Sequence, residues 1–151
     1  MIFKSKNVEQ TYELAYKLSK YVKGGDIILL NGDLGAGKTT LVKGFAKALG
    51  VKQPVTSPTF TLLKTYDTED FCIVHIDAYR LEGGSFDELD DYIGDEYVIF
   101  MEWSSCLASD ELIEDHLAID IKYVSKNQRV FKLSASGDRY EKLLKELMQN
   151  D

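Results

Sequence analysis

The segment from Gly32 to Thr39 combines glycines, a lysine and a hydroxyl at a spacing suited to binding phosphate. It reads GDLGAGKT and satisfies the pattern G-x-x-x-x-G-K-[ST] in full. The glycines let the backbone turn tightly and direct N–H groups at phosphate oxygens, and a following helix N-terminus adds partial positive charge. We expect Lys38 to reach the β- and γ-phosphates and the Thr39 hydroxyl to coordinate Mg²⁺. The pattern therefore predicts a site for a nucleoside triphosphate with magnesium.

Two carboxylates are candidates for the acid that such a site needs to hold magnesium. Asp77 ends the apolar run of residues 73–77, and Glu102 ends that of residues 98–102. Both runs are typical of buried strands, and the carboxyl ends of parallel strands face the phosphate-binding loop. The residues alone leave open which carboxylate binds the metal.

The elements that must position these groups alternate between strands and helices. The apolar run at residues 26–31 predicts a buried strand directly before the glycine-rich loop, and helical spacing predicts a helix over residues 39–49. Asn7 and Gln10 resemble a capping box before a helix over residues 8–23. The other predicted elements are strands over residues 60–66, 71–77 and 97–102, a short helix near 85–92, a late hairpin over 117–123 and 129–134, and a final helix over 138–148.

Length and composition are typical of one globular α/β domain. The chain has 151 residues, of which 44% are hydrophobic and 28% charged. We predict one domain over residues 1–151, with a mostly parallel central sheet, flanking helices and a C-terminal antiparallel hairpin. No apolar stretch approaches the roughly 18 to 20 residues that cross a bilayer, and no secretory signal is recognisable at the start. We therefore expect a cytoplasmic protein that does not contact the membrane.

The formal net charge of −7 is distributed unevenly along the chain. Residues 1–65 carry ten basic and four acidic side chains, residues 66–120 carry one and 17, and residues 121–151 carry seven and four. The total charge therefore does not exclude contact with nucleic acid outside the acidic segment of residues 66–120. That segment is either a solvated face or a docking surface for a basic partner.

Four segments together resemble the bacterial TsaE family, whose members are small P-loop ATPases. They are residues 32–40, residues 57–62 (SPTFTL), residues 75–81 (HIDAYRL) and the pair Glu102 and Trp103. The resemblance implies a P-loop NTPase domain required for making threonylcarbamoyladenosine, the modified adenosine beside the anticodon of tRNAs that read codons beginning with A. It implies action on a complex of the TsaD transferase and its TsaB partner, which ATP turnover resets between cycles. ATP hydrolysis without that complex is expected to be slow, and direct contact with tRNA stays open.

The resemblance also assigns roles within the nucleotide site. Thr39 and Glu102 become the magnesium ligands, and Asp77 becomes the acid near the γ-phosphate that supports hydrolysis, alongside Lys38. Asp77 acts either by orienting water or by holding a ligand of the metal. The residues implied to surround the phosphates are Gly35, Ala36, Gly37, Lys38, Thr39 and Thr40. Those implied near the nucleotide base are Arg129 and the segment from Val8 to Thr11.

Three further positions are implied to act as a switch or to meet a partner. Ser57 and Thr59 lie in a loop that could sense the γ-phosphate, for which ordinary turn chemistry around Pro58 is the alternative. Trp103 either covers the site, meets the partner or packs in the core. The family commonly has proline after this tryptophan, where the present chain has Ser104.

Three other interpretations of the residues are weighed beside this one. A small metabolite or nucleoside kinase usually needs an arginine-rich lid to exclude water, yet Arg80 is the only basic residue between Tyr66 and Asp120. A non-hydrolysing module in which nucleotide orders a partner-binding surface is the other functional alternative. His75 is expected to be a hydrogen-bonded core histidine rather than a catalytic base.

Overall fold

The computed structural model describes residues 1–33, 36–58, 63–78, 87–102 and 115–149. These ranges contain seven strands, three α-helices and one 3₁₀ helix at Asp87–Tyr92. The strands are β1 (Ile2–Ser5), β2 (Ile27–Asn31), β3 (Leu63–Asp67), β4 (Cys72–Asp77), β5 (Tyr97–Glu102), β6 (His116–Tyr123) and β7 (Arg129–Ser136). The α-helices are α1 (Val8–Ser19), α2 (Lys38–Ala48) and α3 (Asp138–Gln149). Among the described residues, no helix has both the length and the apolar character needed to span a membrane.

All seven strands belong to one sheet in the order β1-β7-β6-β2-β5-β4-β3. The four central strands β6, β2, β5 and β4 are parallel to one another, whereas β7 pairs antiparallel with β6 and β3 pairs antiparallel with β4. Five of the seven strands therefore run in the same direction. The predicted α/β class, mostly parallel sheet and C-terminal antiparallel hairpin are confirmed.

Two local predictions are corrected at the amino-terminal end of the chain. Strand β1 was not predicted, because four residues are too few to show a period, and it is held as an edge strand by antiparallel pairing with β7. Helix α1 ends at Ser19 rather than at residue 23. The amides of Tyr21 and Val22 both donate to the Leu18 carbonyl in a closing turn, so Val22 reaches the core from outside the helix.

The capping box is confirmed with a shift of one residue. Asn7 Oδ1 accepts a 2.9 Å hydrogen bond from the Gln10 amide. The Gln10 side chain reaches back to the Lys6 amide, at 2.7 Å, instead of to the amide of the capping residue. Two amides at this helix start are therefore satisfied by side chains.

Close packing of α1 against α2 sets the position of α2 on the sheet. Buried side chains of α1, α2 and α3 share one hydrophobic cluster with Phe100 of β5. A Cβ placed on Gly44 of α2 would lie 2.7 Å from Tyr12 Cδ1 and 3.0 Å from Ala15 Cβ. Glycine is required there because any side chain would push the helices apart. The N-terminus of α2 is thereby held at the carboxyl end of the central strands.

Candidate nucleotide-binding site

The glycine-rich segment connects the end of β2 directly to the start of α2. Gly37 has φ +114°, a left-handed conformation that favours glycine, and it is the residue immediately before the helix. A Cβ on Gly32 would lie 2.7 Å from the Ile121 carbonyl oxygen, so the chain passes β6 too closely for a side chain. The Ala36 amide donates to the Asp33 carbonyl at 2.9 Å and tightens the turn. Leu34 and Gly35 lie outside the described residues.

Lys38 folds back over the loop that it follows. Its Nζ donates to the Gly32 carbonyl at 2.5 Å and to the Asp33 carbonyl at 3.2 Å. The residue is only 5% exposed. Burial lowers the pKa of Lys38, and the negative charges of Glu102, Asp77 and Asp33 oppose that effect. A buried ammonium is thus held beside the loop, where an anionic ligand would gain from its charge.

The two candidate acids are neighbours in the sheet. Asp77 ends β4, Glu102 ends β5, and the parallel register pairs one with the other. They are 3% and 4% exposed. Glu102 is also the register partner of Leu30 in β2, two residues before Gly32. The prediction that both strand-end carboxylates lie at the edge of the sheet next to the loop is confirmed.

Thr39 connects the helix to one of these acids. Its Oγ1 donates to Glu102 Oε2 at 3.4 Å. Two oxygen donors, a hydroxyl and a carboxylate, are therefore adjacent at the start of α2, as Mg²⁺ coordination requires. The contact singles out Glu102 rather than Asp77 as the acid beside Thr39.

His75 is fully buried and its Nε2 hydrogen-bonds Glu102 Oε2. The prediction of a hydrogen-bonded core histidine is confirmed. Its partner was not predicted, because the two residues lie on different strands and no local pattern relates them. The neighbouring period-two positions in β4 place His75 and Asp77 on the same face of the sheet.

A cavity of about 70 Å³ lies beside the loop, between the start of α1 and the β6–β7 turn. Its walls include the predicted residues Val8, Thr11, Gly37, Thr40 and Arg129. Sequence reasoning missed four other lining residues: Asn7, Lys126, Asn127 and Phe131. The two in the turn, Lys126 and Asn127, carry no motif, and only their proximity to Arg129 in the chain points to them.

Arg129 links the β6–β7 turn to the loop. Its Nε donates to the Ala36 carbonyl at 2.9 Å, and its Nη1 donates to the Ser125 carbonyl at 2.7 Å and the Gln128 carbonyl at 2.9 Å. Its guanidinium carbon lies 4.5 Å from the centre of the Tyr123 ring. The side chain is therefore fixed between the cavity and the glycine-rich loop.

Among the remaining predicted positions, only Ser57 lies within the described residues. Ser57 is exposed in the segment before β3, outside the cavity walls. Thr59, Arg80, Trp103 and Ser104 lie outside the described residues, as does Gly35.

Exposed carboxylates collect at the opposite end of the sheet. Asp67, Glu69 and Asp70 surround the turn that leads into β4, and Asp95 and Glu96 precede β5. The glycine-rich loop lies at the carboxyl ends of the parallel strands, whereas these residues lie near their amino ends. Their repulsion of an anionic ligand at the loop is therefore weakened by distance.

A buried strand, a glycine-rich loop and a helix, set against parallel strands that end in carboxylates, define a P-loop fold. The family model described as Threonylcarbamoyl adenosine biosynthesis protein TsaE matches residues 5–131. The chain belongs to the TsaE family, a family of tRNA threonylcarbamoyladenosine biosynthesis. The resemblance seen in the motifs is thereby confirmed.

Individual relatives are similar over most of the chain. The tRNA threonylcarbamoyladenosine biosynthesis protein TsaE of Bacillus subtilis (strain 168) is 41% identical over 146 residues, which is 96% of this chain and 92% of the relative. The protein of the same name from Aquifex aeolicus (strain VF5) is 39% identical over 127 residues, 83% of this chain and 89% of the relative. The crystal structure of YdiB from Bacillus subtilis superposes with a TM-score of 0.83 at 36% identity, covering 100% of this chain and 95% of YdiB.

Proposed function

We propose that this protein is a Mg²⁺-dependent ATPase that supports threonylcarbamoyladenosine formation on tRNA by acting on a complex of TsaD-like and TsaB-like proteins. The observation that carries the ATPase assignment is made at the N-terminus of α2. Lys38 there lies against the glycine-rich loop, and the next residue, Thr39, contacts Glu102. The role in tRNA modification follows from membership of the TsaE family. The protein partners follow from the family resemblance of the motifs.

The residues beside the loop fit magnesium. Thr39 Oγ1 and Glu102 Oε2 are 3.4 Å apart, and both are the hard oxygen donors that this ion prefers. No group of three or more His, Cys, Asp or Glu side chains that could hold a metal occurs in the described part of the chain. Thr39 and Glu102 are thus the ligands that we propose from the described residues, and substrate phosphates usually supply others at such a site. When bound, the ion neutralises charge on the β- and γ-phosphate oxygens.

The chain's own groups account for hydrolysis. Loop amides and the Lys38 ammonium stabilise negative charge on the triphosphate. Asp77, buried beside Glu102, orients a water molecule in line with the γ-phosphorus and accepts its proton. The bond from the γ-phosphorus to the bridging oxygen breaks as the bond to water forms, which yields ADP and inorganic phosphate.

The cavity beside the loop is the proposed position of the nucleotide base. Val8, Thr11 and Arg129 line this cavity, and Gly37 and Thr40 connect it to the phosphate-binding loop. This continuity supports binding of a whole nucleotide rather than of a phosphate ion alone.

The decisive experiment measures ADP release by the purified protein with and without Mg²⁺, and with and without the TsaD–TsaB complex. We expect magnesium-dependent ADP release that the complex accelerates. Glu102→Gln should abolish the magnesium-dependent release of ADP, whereas the control Glu96→Gln, at the exposed position before β5, should not. Transfer of phosphate to a small acceptor would instead indicate a kinase, and tight ATP binding without turnover would indicate a switch.

A further inference from the structure

We infer that His75 is a positioning residue for metal binding: its imidazole holds the Glu102 carboxylate in the orientation that Mg²⁺ coordination with Thr39 requires. The inference rests on the proposed function, because it concerns how one proposed ligand is held. In this role His75 acts only through Glu102.

The sheet register makes this contact diagonal. His75 is the register partner of Phe100, and Glu102 follows Phe100 by two residues on the same face of β5. The imidazole therefore reaches from β4 to the adjacent strand β5 and along the sheet toward the Glu102 carboxylate. His75 is 0% exposed and Glu102 is 4% exposed, so water does not compete for their hydrogen bond.

The chemistry of the pair sets the direction of the hydrogen bond. An ionised carboxylate only accepts, so His75 Nε2 carries the proton and donates it. The other ring nitrogen, Nδ1, is buried and has no hydrogen-bond partner in the described part of the chain. The ring therefore acts on Glu102 through Nε2.

The hydrogen bond anchors one oxygen of a flexible side chain. Both hydrogen bonds that the Glu102 side chain forms within the described residues, with His75 and Thr39, end on Oε2. Oε1 thereby keeps its capacity to bind a cation. A glutamate has three rotatable side-chain bonds, and fixing it before the ligand arrives removes that entropy from the cost of binding.

The charge of Lys38 explains why the Glu102 carboxylate must be held in place. Of the nearby acids, Glu102 is the one whose charge most opposes the effect of burial on the pKa of Lys38. A Glu102 carboxylate released from His75 would be drawn toward that ammonium. The pair would then neutralise each other, and both groups would be less available to Mg²⁺ and phosphate. By holding Glu102, His75 keeps the carboxylate available to Mg²⁺ and the Lys38 ammonium available to phosphate.

Two substitutions that introduce an amide, one on a longer side chain and one on a shorter side chain, test the inference. His75→Gln places an amide nitrogen near the position of Nε2, whereas the shorter side chain of His75→Asn does not reach it. The readout is the ratio of ATP dissociation constants without and with Mg²⁺, measured by calorimetry, together with the affinity for Mn²⁺ measured by electron paramagnetic resonance. Thermal denaturation of each variant reports folding separately.

We expect His75→Asn to reduce the metal-dependent gain in affinity by about tenfold or more, as loss of a residue that orients a ligand usually does. His75→Gln should restore it, and the affinity for metal-free ATP should be the same in both. The inference would be overturned if Mg²⁺ increased the ATP affinity of His75→Asn as much as that of the wild type. It would also be overturned if His75→Asn and His75→Gln lost this increase equally. His75→Met, which has no N–H, takes the place of His75→Asn if that variant unfolds and must show the same loss.

The same data separate this inference from the proposed function. If magnesium does not tighten ATP binding to the wild-type protein, the proposed magnesium site is wrong and the role of His75 is rejected with it. If magnesium tightens binding to the wild type and equally to His75→Asn, only the role of His75 is wrong.

Discussion

The Nε of Arg129 donates a 2.9 Å hydrogen bond to the carbonyl of Ala36, which lies 93 positions earlier in the chain. The same guanidinium binds the Ser125 and Gln128 carbonyls of the β6–β7 turn. A single side chain therefore fixes the turn, one cavity wall and the glycine-rich loop relative to one another. Because loop carbonyls and loop amides belong to the same peptide units, this contact also orients the amides that would face phosphate.

Replacing Arg129 by alanine should weaken binding of both ATP and inorganic tripolyphosphate. Loss of a hydrogen bond from a charged donor costs about 1.5 to 3 kcal/mol, which lowers the affinity about tenfold or more. Calorimetry with both ligands measures the effect, and Lys132→Ala, an exposed position on the same strand, is the control. A loss confined to ATP would restrict Arg129 to the base cavity and remove its role in the loop.

Lys38→Ala should reduce the affinity for Mg-ATP by at least about tenfold, because a buried ammonium beside the phosphates is removed. Fluorescence titration with a labelled nucleotide measures the change. The matched control is Lys43→Ala, an exposed lysine of the same helix. Unchanged affinity in the Lys38 variant would contradict the placement of the triphosphate at this loop.

Asp77→Asn should leave nucleotide affinity unchanged and lower the rate of ADP release about 100-fold, the effect expected from loss of a catalytic base. The substitution is nearly isosteric, so the neighbouring Glu102 keeps its surroundings. Steady-state phosphate release, measured with the partner complex present, tests this, with Asp67→Asn at the exposed end of β3 as the control. Normal turnover by the Asp77 variant would remove this residue from the mechanism.

Tyr140 stabilises the fold through its phenol. Its hydroxyl oxygen accepts a 2.8 Å hydrogen bond from the buried Ile27 amide at the start of β2. Tyr140→Phe leaves that N–H without its partner and should lower the free energy of unfolding at neutral pH by about 1 to 3 kcal/mol. Urea denaturation measures the change, and Tyr16→Phe, an exposed position on α1, should have no effect.

The pH dependence of this variant has a defined sign. Burial raises the pKa of Tyr140 to about 12, against an ordinary value of 10.0. The folded state therefore favours the protonated phenol, and that contribution is complete below pH 10 and is lost as pH rises toward 12. The difference in stability between wild type and Tyr140→Phe should shrink over this range by about 2 to 3 kcal/mol. A constant difference would contradict the assignment.

Most of the local structure could be predicted from the sequence. Strand β5 has the predicted bounds, and α2 starts one residue earlier than predicted. These elements are set by local periodicity and by glycine and capping residues, which act within a few positions. The miss at β1 has a physical reason, since its four residues are held by pairing with β7 and not by a pattern of their own.

The site residues also divide into those that could be predicted from the sequence and those that could not. Val8, Thr11, Gly37, Thr40 and Arg129 were predicted near a nucleotide through family resemblance, and the structure brings all five to one cavity. Their roles in binding stay predictions. Asn7, Lys126 and Asn127 could not be predicted, because a residue lines a cavity through the path of the surrounding chain and needs no motif of its own.

By itself, the sequence determined the unit of strand, glycine-rich loop and helix, and it identified Asp77 and Glu102 as acids at strand ends. Short-range sterics and hydrogen bonding decide such units, so adjacent residues suffice to predict them. Only the tertiary structure decided that Glu102 contacts both Thr39 and His75, and that Arg129 holds Ala36. Those contacts depend on strand order and register, which arise from burying the whole sheet beneath its helices rather than from any one segment.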